Sequence, residues 1–171
     1  AKTAAALRRR LLVWYAAKQR DLPWRRTSDP YRIWISEVML QQTQVATVIP
    51  YYARFIASFP DLAALARADR QTILKHWEGL GYYRRAHHLH QAARELIASG
   101  AGRVPDRREV FRKLPGVGDY IANAVMSIAY DAPLAVVDGN VKRVLARLCG
   151  LTTAANHPAG HRKYQAAADN L

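Results

Sequence analysis

The sequence predicts an all-α fold, and three observations lead to this prediction. Apolar residues recur at spacings of three and four along most of the chain, which is the pattern of amphipathic helices. No segment alternates apolar and polar residues convincingly, as a half-buried strand does. Prolines and glycines lie between the helical segments, where they interrupt the pattern. Half of the 171 residues are hydrophobic, so the chain can bury a sizeable core.

The first part of the chain divides into helices with recognisable boundaries. Apolar residues at helical spacing mark one face of a first helix: Leu7, Leu11, Leu12 and Tyr15. After a connector at residues 21–26, Asp29 and Pro30 predict an N-cap followed by proline at the first helical position. Further helices are expected at about residues 44–58, 61–67 and 69–77.

Two glycine-containing turns, at residues 78–83 and 114–118, organise the second part of the chain. The helices around them are expected at about residues 83–98, 106–113, 119–130 and 138–149. The residues after Leu151 predict no particular element.

The chain is strongly basic, which bears on the nature of its partner. Lys and Arg number 26 against 13 Asp and Glu, a formal net charge of +13 at pH 7. Such a charge is typical of a domain that binds a polyanion, and nucleic acid is the leading candidate. An anionic membrane surface and a merely solvated basic surface are the alternatives.

Cys149 is the only cysteine in the sequence. It cannot build a disulfide framework, nor a cysteine-ligated zinc or iron–sulfur site within this chain. No run of about 18 apolar residues predicts a membrane span, and the N-terminal residues lack the pattern of a secretion signal. A bacterial cytoplasmic protein associated with the nucleoid, without a membrane partner, is expected.

The segment 114–118, LPGVG, places two glycines around one apolar residue between two helices. Glycine adopts backbone dihedrals that other residues resist, and it lets a second backbone approach closely. The amide groups at the start of the following helix can bind a phosphate, a contact that positions a duplex without reading its sequence. An ordinary turn is the alternative, but Lys113 beside the segment and the charge of +13 favour DNA.

Glu37 is the first candidate for chemistry. Its neighbours at helical spacing are largely apolar, among them Ile33, Trp34 and Leu40. Desolvation disfavours the charged form of a carboxyl group, so a glutamate here is suited to act as a general acid at neutral pH. From position alone, a partly buried structural glutamate that caps a helix or pairs with an arginine is the more common explanation.

Asp138 is the second candidate. It follows an apolar run and starts a helix, where aspartate is a favoured N-cap worth about 1 kcal/mol and the helix dipole favours its charge. A protonated glutamate and an ionised aspartate divide the work of breaking a glycosidic bond: one protonates the leaving group, and the other stabilises positive charge on the sugar. Sequence spacing alone does not bring Glu37 and Asp138 together.

These segments resemble the helix-hairpin-helix DNA glycosylases, the superfamily of endonuclease III and MutY, and in particular the MutY type. The resemblance covers about residues 7–151 and is carried by the LPGVG hairpin, by SEVMLQQTQ at residues 36–44 and by VDGNVKRV at residues 137–144. It implies two helical lobes with the active site in the cleft between them.

The first implied lobe is a six-helix, barrel-type lobe at residues 22–133, with the helix-hairpin-helix at about residues 108–130. The second comprises residues 1–21 and 134–171, and it is expected to be incomplete at its C-terminal end.

The resemblance also implies catalytic roles. Glu37 would protonate adenine at N7 and then help to activate water. Asp138 would stabilise the oxocarbenium-like sugar or a covalent adduct with it, and Asn140 would orient the Asp138 carboxylate. Tyr120 would support the same site and stands where the bifunctional glycosylase–lyases carry a lysine that forms a Schiff base. A monofunctional enzyme that removes adenine mispaired with 8-oxoguanine or guanine is therefore expected.

Further residues are implied to contact the DNA. An enzyme that acts on a stacked base must extrude it, at a cost of roughly a few kcal/mol, and the gap must be filled. By resemblance, Gln42 and Tyr82 enter the duplex around the opposite guanine, whereas a surface glutamine and a turn-packing tyrosine are the alternatives. The other residues expected to contact the substrate or the DNA are Trp24, Arg25, Leu40, Gln41, Gly116, Val117, Gly118 and Arg143. For Trp24 and Leu40, ordinary core packing is an equal alternative, and Trp34 and Trp77 are expected in the core.

Basic residues after Tyr82 predict a helix face that follows the phosphates, with an affinity that falls steeply in salt: Arg84, Arg85, His87, His88 and His90. Arg147 shares a helix face with Arg143 in the same way. At Asp119 the chain departs from the family, in which a basic or neutral residue is frequent. A carboxylate near a phosphate would weaken that contact unless it points away.

Two features of the MutY type are missing from this sequence. These are four cysteines for a four-iron four-sulfur cluster and a C-terminal Nudix-like domain that recognises 8-oxoguanine. No cofactor is expected within this chain, apart from a monovalent cation at the backbone of the 114–118 hairpin. The expected partner is double-stranded DNA with an adenine mispair, bound by a monomer. A thymine glycosylase for G:T mispairs and a DNA-binding module without turnover are the alternative functions.

Overall fold

The structure is a computed structural model that describes residues 2–154 and 157–171. Helices without any β-strand make up the regular structure of these residues, which confirms the all-α prediction. The α-helices are α1 (Lys2–Lys18), α2 (Pro30–Leu40), α3 (Val45–Ser58), α4 (Leu62–Arg67), α5 (Arg70–Trp77), α6 (Arg84–Ala98), α7 (Arg108–Phe111), α8 (Asp119–Tyr130), α9 (Gly139–Cys149) and α10 (Pro158–Asp169). A single 3-10 turn at Pro23–Arg25 precedes α2.

The chain forms two compact units. One comprises residues 22–132 and is called the hairpin unit, since it contains α2 to α8 and the glycine hairpin. The other comprises residues 1–21 and 133–171 and is called the terminal unit.

Aspartate N-caps set the beginnings of three helices in the hairpin unit. Asp29 accepts the amide of Tyr31 at 2.9 Å and starts α2, with Pro30 at the first position as predicted. Asp61 and Asp69 accept the amides three residues ahead at 2.7 Å and 2.9 Å and start α4 and α5. Each cap satisfies an amide that has no partner within its own helix, and is worth about 1 kcal/mol.

Helix α2 lies at the centre of the hairpin unit, packed against α3, α6 and α8. Its buried residues cover most of its circumference, which is why the sequence there is almost continuously apolar. Trp34 is 1% exposed and meets Phe111 edge to face, with ring centroids 5.3 Å apart. Trp77 is fully buried, so the prediction that both tryptophans belong to the core is confirmed.

Helix α7 is shorter than the predicted helix at 106–113. Arg107 is extended and ends the preceding loop, and only one helical turn follows it. Beyond Phe111 the chain closes in successive tight turns, in which Leu114 donates to Phe111 and Val117 donates to Leu114, both at 3.1 Å. Pro115 has no amide to continue a helix, so the chain turns into the hairpin instead.

The terminal unit has its own small core, formed by Val137, Leu145 and Tyr164. The Tyr164 hydroxyl donates to the Thr153 carbonyl at 3.0 Å and fastens α10 to the segment after α9. The sequence predicted no element here, because α10 is rich in alanine and lacks a wide apolar face.

Helix α1 differs from its predicted pattern. Leu11, Leu12 and Tyr15 are 56%, 67% and 41% exposed, although they were expected to mark a common face. Five consecutive residues from 11 to 15 are large and apolar, so they surround the helix at steps of about 100° rather than gathering on one side. In the part of the chain that is described, no helix is long and apolar enough to cross a bilayer.

Candidate active site and nucleic-acid interface

The glycine hairpin connects α7 to α8 within the hairpin unit. Gly118 is the N-cap of α8 and its carbonyl accepts the Ala122 amide at 3.0 Å, so the amides of the first turn face outward. No atom lies within 4 Å of the position that a Gly118 side chain would occupy, whereas Val117 is 6% exposed and anchors the loop. The tip of the hairpin thus offers an open approach to backbone amides, as an anion requires.

Gly116 is required for two reasons. Its φ of +75° lies in the left-handed region, and a Cβ there would stand 2.7 Å from the Cβ of His88 on α6. The hairpin therefore packs directly against α6. The close neighbour of Gly116 is a side chain, and nothing lies within 4 Å of Gly118, so the approach of a second backbone to these glycines stays a prediction.

Asp119 turns back toward the first helix of the hairpin. Its carboxylate accepts hydrogen bonds from Arg112 at 2.5 Å and from Arg108 at 2.6 Å, and these hydrogen bonds hold the pKa of Asp119 below its ordinary value. Arg108 also donates to Asn123 on α8 at 2.6 Å. The carboxylate that departs from the family pattern is thus neutralised by two arginines and ties the two helices together.

Glu37 lies on α2 and is only 9% exposed. Helix α2 packs against α8, the helix that starts at the hairpin with Asp119 and Tyr120. Tyr120 is in the first turn of α8 and 39% exposed, so its phenol is accessible from solvent. The hairpin unit thereby places a buried carboxyl group and an accessible phenol on two neighbouring helices.

Gln42 and Tyr82 share an unusual backbone. Their φ values are +57° and +47°, and among the described residues only Asp131 joins them as a non-glycine in this region. Gln42 is exposed just beyond the end of α2, and Tyr82 is 61% exposed just before α6. Strain of this kind persists only where surrounding structure maintains it, and it concentrates at ligand-contacting sites.

Arg85 does not belong to a phosphate-following face, which corrects the sequence prediction. Its Nη1 donates to the carbonyls of Val38, Met39 and Gln41, at 3.0, 2.8 and 2.5 Å. Its Nη2 lies 3.2 Å from each of its three acceptors, Thr43 Oγ1, the Leu80 carbonyl and the Gly81 carbonyl. Because both Nη atoms donate to protein acceptors and Nε is buried, the guanidinium is not available to a phosphate.

The prediction that His90 belongs to the basic face is also wrong. It is 9% exposed, and desolvation lowers the pKa of its imidazole, so it stays neutral at pH 7. Desolvation likewise lowers the pKa of His87, which contacts Arg70 at 3.3 Å. Of the five residues predicted to form this face, only Arg84 is exposed.

The residues predicted to line the adenine pocket differ in accessibility. Trp24 is 7% exposed and packs edge to face on Tyr52, with centroids 5.4 Å apart. This arrangement is that of a core residue, the alternative considered from sequence. Arg25 is exposed, and Leu40 and Gln41 are half-buried at the end of α2. Their roles toward adenine stay predictions.

Asp138 belongs to the terminal unit and caps α9. Its Oδ1 accepts the Val141 amide at 2.7 Å and its Oδ2 accepts Asn140 Nδ2 at 3.1 Å. Arg143 in turn donates to the Asn140 side-chain oxygen. A chain of hydrogen bonds therefore leads from Arg143 through Asn140 to the carboxylate, and it is consistent with the orienting role expected of Asn140. Arg143 is exposed, as its expected contact with DNA requires.

The described residues offer no group of three or more histidine, cysteine or acidic side chains arranged to hold a metal ion. Cys149 is a single exposed thiol, whereas a four-iron cluster needs several cysteine ligands, so these residues do not fit the cluster. A monovalent cation at the hairpin would need main-chain carbonyls from residues 114–118, and this site stays a prediction.

Comparisons of the sequence lead to DNA repair proteins. A profile of the HhH-GPD superfamily of base excision DNA repair proteins matches residues 35–165. The adenine DNA glycosylases of Rattus norvegicus and Homo sapiens are 48% and 46% identical over 152 residues, which cover 84% of this chain but 30% and 28% of the relatives. That of Buchnera aphidicola subsp. Baizongia pistaciae is 44% identical over 138 residues, 80% of this chain and 39% of the relative. The chain thus spans less than half the length of these relatives.

Comparison of the fold leads to solved structures of a thymine-DNA glycosylase and of endonuclease III. A thermostable thymine-DNA glycosylase superposes with a TM-score of 0.81 and 33% identity, over 91% of this chain and 74% of that chain. Endonuclease III in a trapped covalent intermediate with DNA superposes with a TM-score of 0.72 and 25% identity, over 81% of this chain and 64% of that chain.

Proposed function

Because the chain belongs to the HhH-GPD superfamily of base excision DNA repair proteins, we propose that it is the catalytic region of a monofunctional adenine DNA glycosylase. The observation that carries the proposal is the burial of Glu37, 9% exposed, on the helix that leads into the Gln41–Gln42 segment. A buried carboxyl group is suited to protonate a base that has been extruded from the duplex. The adenine DNA glycosylases of rat and human, at 48% and 46% identity, support adenine as that base.

In the proposed reaction, the bond between sugar C1′ and adenine N9 breaks and its electron pair leaves with the base. Glu37 donates its proton to adenine N7, so that neutral adenine departs. Asp138 stabilises the positive charge that develops on the sugar, and the two carboxyl groups must therefore converge on one nucleotide. Water then adds to C1′ and releases a proton to Glu37, which leaves an abasic site and restores the acid.

The proposed partner is double-stranded DNA that contains adenine opposite 8-oxoguanine or guanine, bound by a monomer. The hairpin amides at Gly118 and beyond would bind a phosphate, with Gln42 and Tyr82 around the opposite guanine. DNA in the solved endonuclease III complexes supports this partner. The cytoplasmic, nucleoid-associated location expected from the sequence stays a prediction.

A panel of duplexes tests the proposal. The protein is incubated with A:8-oxoG, A:G, A:C and G:T duplexes under single-turnover conditions and then treated with alkali. Strand breaks at adenine are expected, and Glu37→Gln, which conserves the shape of the side chain, should slow them about 100-fold or more. Glu95→Gln, an exposed carboxylate on α6, is the matched control. Breaks at the thymine of G:T would favour a thymine glycosylase, and binding without any breaks would favour a DNA-binding module.

Borohydride trapping tests the monofunctional part of the proposal. A Schiff base requires a primary amine, which the phenol of Tyr120 lacks. The wild type should give no covalent adduct with an abasic product and should break the strand only after alkali. Tyr120→Lys places an amine at this accessible position, and it should yield a trapped adduct. A trapped adduct with the wild type would contradict the assignment.

A further inference from the structure

Gln42 and Tyr82 lie in two loops that are far apart in sequence and that share a left-handed backbone conformation. Their left-handed φ values of +57° and +47° are conformations that cost a non-glycine residue roughly 1 kcal/mol or more. Such a conformation persists where the surrounding structure maintains it, and one side chain contacts both loops.

The contact is a single guanidinium. Arg85 donates from Nη1 to the Gln41 carbonyl and from Nη2 to Thr43 Oγ1, so it holds the residues on both sides of Gln42. The same Nη2 reaches the carbonyls of Leu80 and Gly81, the two residues before Tyr82. The guanidinium carbon also lies 5.5 Å from the centre of the Tyr82 ring.

The surroundings of Arg85 keep it in this position. Its guanidinium lies 5.4 Å from the ring centre of Trp77, whose indole Nε1 donates to the Gly81 carbonyl at 3.1 Å. Arg85 and Gly116 of the hairpin both line a cavity of about 40 Å³. The two Nη atoms carry four N–H donors in a fixed planar fork, which the six acceptors share, whereas an ammonium group has three donors and no fixed plane.

We propose that Arg85 is a positioning residue for recognition of the opposite base. It sets the distance between Gln42 and Tyr82 by hydrogen-bonding the loops that carry them, and it touches neither the adenine nor a phosphate. The inference rests on the proposed function for the duplex contacts of Gln42 and Tyr82. A displacement of about 1 Å between recognition groups is enough to lower a rate about 100-fold, so loosening the two loops should affect discrimination before it affects folding.

Arg85→Lys tests the inference, because it keeps the positive charge and removes the fork. The measurement is the ratio of single-turnover adenine excision from A:8-oxoG to that from A:C. This ratio should fall about 10- to 100-fold in Arg85→Lys. Arg94→Lys, at an exposed position of the same helix, should leave it unchanged. Thr43→Val removes one acceptor of the network and should lower the ratio in the same direction by a smaller factor, even if Arg85→Lys folds poorly.

A mutant cycle separates positioning from general destabilisation. In a Gln42→Ala/Tyr82→Ala background, Arg85→Lys should have no further effect on the ratio, because it acts through those two side chains. A further fall of the same size in that background would overturn the inference, as would an unchanged ratio in Arg85→Lys.

Hydrogen exchange decides the inference independently of catalysis. Arg85→Lys should accelerate amide exchange at residues 41–43 and 80–82 while the interior of α8 keeps its protection. If the wild type excises no adenine, the proposed function fails, and this exchange pattern alone decides whether Arg85 holds the two loops. Uniform acceleration across the hairpin unit, or none at the two loops, would overturn the inference.

Discussion

The Asp138 carboxylate caps α9, and the proposed reaction would give it a second purpose. Its Oδ1 accepts the Val141 amide at 2.7 Å, which occupies one side of the group, and Asn140 holds the other oxygen at 3.1 Å. A cap needs an acceptor but not a charge, whereas stabilising a cationic sugar needs the charge. Substitutions can therefore separate the two purposes.

Asp138→Asn should keep the fold and lose the reaction. Asparagine is as good an N-cap as aspartate, so the melting temperature should stay near that of the wild type, while adenine excision falls about 100-fold or more. Asp138→Ala should lose the cap as well, which costs about 1 kcal/mol and lowers the melting temperature by about 2–4 °C. Thermal unfolding and single-turnover kinetics on A:8-oxoG check both. A fully active Asp138→Asn would remove this residue from the mechanism.

At the scale of the hairpin, the two glycines differ in what they require. Gly116 combines a left-handed φ of +75° with direct packing on His88, whereas Gly118 has open space and an ordinary φ. The first glycine is thus needed by the fold, and the second leaves room for a ligand.

Alanine scanning of the two glycines should show this difference. Gly116→Ala should destabilise the protein by about 1–2 kcal/mol from the backbone alone, with a further cost as His88 moves. Gly118→Ala should change the free energy of unfolding little but weaken binding to an abasic-analogue duplex, because its methyl group narrows the approach to the amides. Urea titration and fluorescence anisotropy measure the two effects. Equal losses of stability would contradict the assignment.

The ion pairs of Asp119 with Arg108 and Arg112 predict a pH dependence of stability. These contacts lower the folded pKa of Asp119, so their contribution is fully present above the unfolded value of about 3.9 and is lost as the pH falls through the folded pKa. The wild type should be more stable than Asp119→Asn by a constant amount from pH 5 to 7. That difference should shrink below about pH 4. Urea unfolding of both proteins from pH 3 to 7 measures it, and a difference independent of pH would contradict this account.

At the scale of the whole molecule, the charge of +13 predicts a salt-dependent association with DNA. The logarithm of the affinity should fall linearly with the logarithm of salt concentration, with a slope of about −0.9 for each phosphate neutralised. Lys113→Gln, beside the hairpin, should reduce the magnitude of this slope by about 1 on any sequence. Arg94→Gln is the control with the same change of charge. Equal slopes for Lys113→Gln and the wild type would place Lys113 away from the phosphates.

Features that depend on neighbouring residues were accessible from the sequence. Asp29 and Pro30 predicted the start of α2. The spacing of apolar residues predicted the ends of α8 and α9 to within about two residues. The predicted positions of Trp34 and Trp77 in the core are correct because both lie on continuous apolar faces. The motifs at residues 36–44, 114–118 and 137–144 identified the family for the same reason, since each is contiguous.

Features that depend on distant residues were not accessible. In the sequence, Arg85 is one of several basic residues in a predicted helix. The residues next to it in the sequence give no sign of hydrogen-bond acceptors 42 to 47 positions away. From the sequence, the Asp119 carboxylate was expected to weaken a phosphate contact. Its partners Arg108 and Arg112 come next to it only in the folded hairpin. Only the fold could show which charges are already used by the protein.

The sequence by itself determined the helical class, the helix caps at Asp29 and Asp138 and the segments that carry the proposed chemistry. All of these arise from hydrogen bonds and packing between residues three or four positions apart, so the sequence alone shows their patterns. Only the tertiary structure shows three features. Arg85 hydrogen-bonds the loops of Gln42 and Tyr82, two arginines neutralise Asp119, and Gly116 leaves room for α6 to pack against the hairpin. A guanidinium or carboxylate has the same appearance in sequence whether it faces solvent or a buried acceptor, and only chain closure selects between the two.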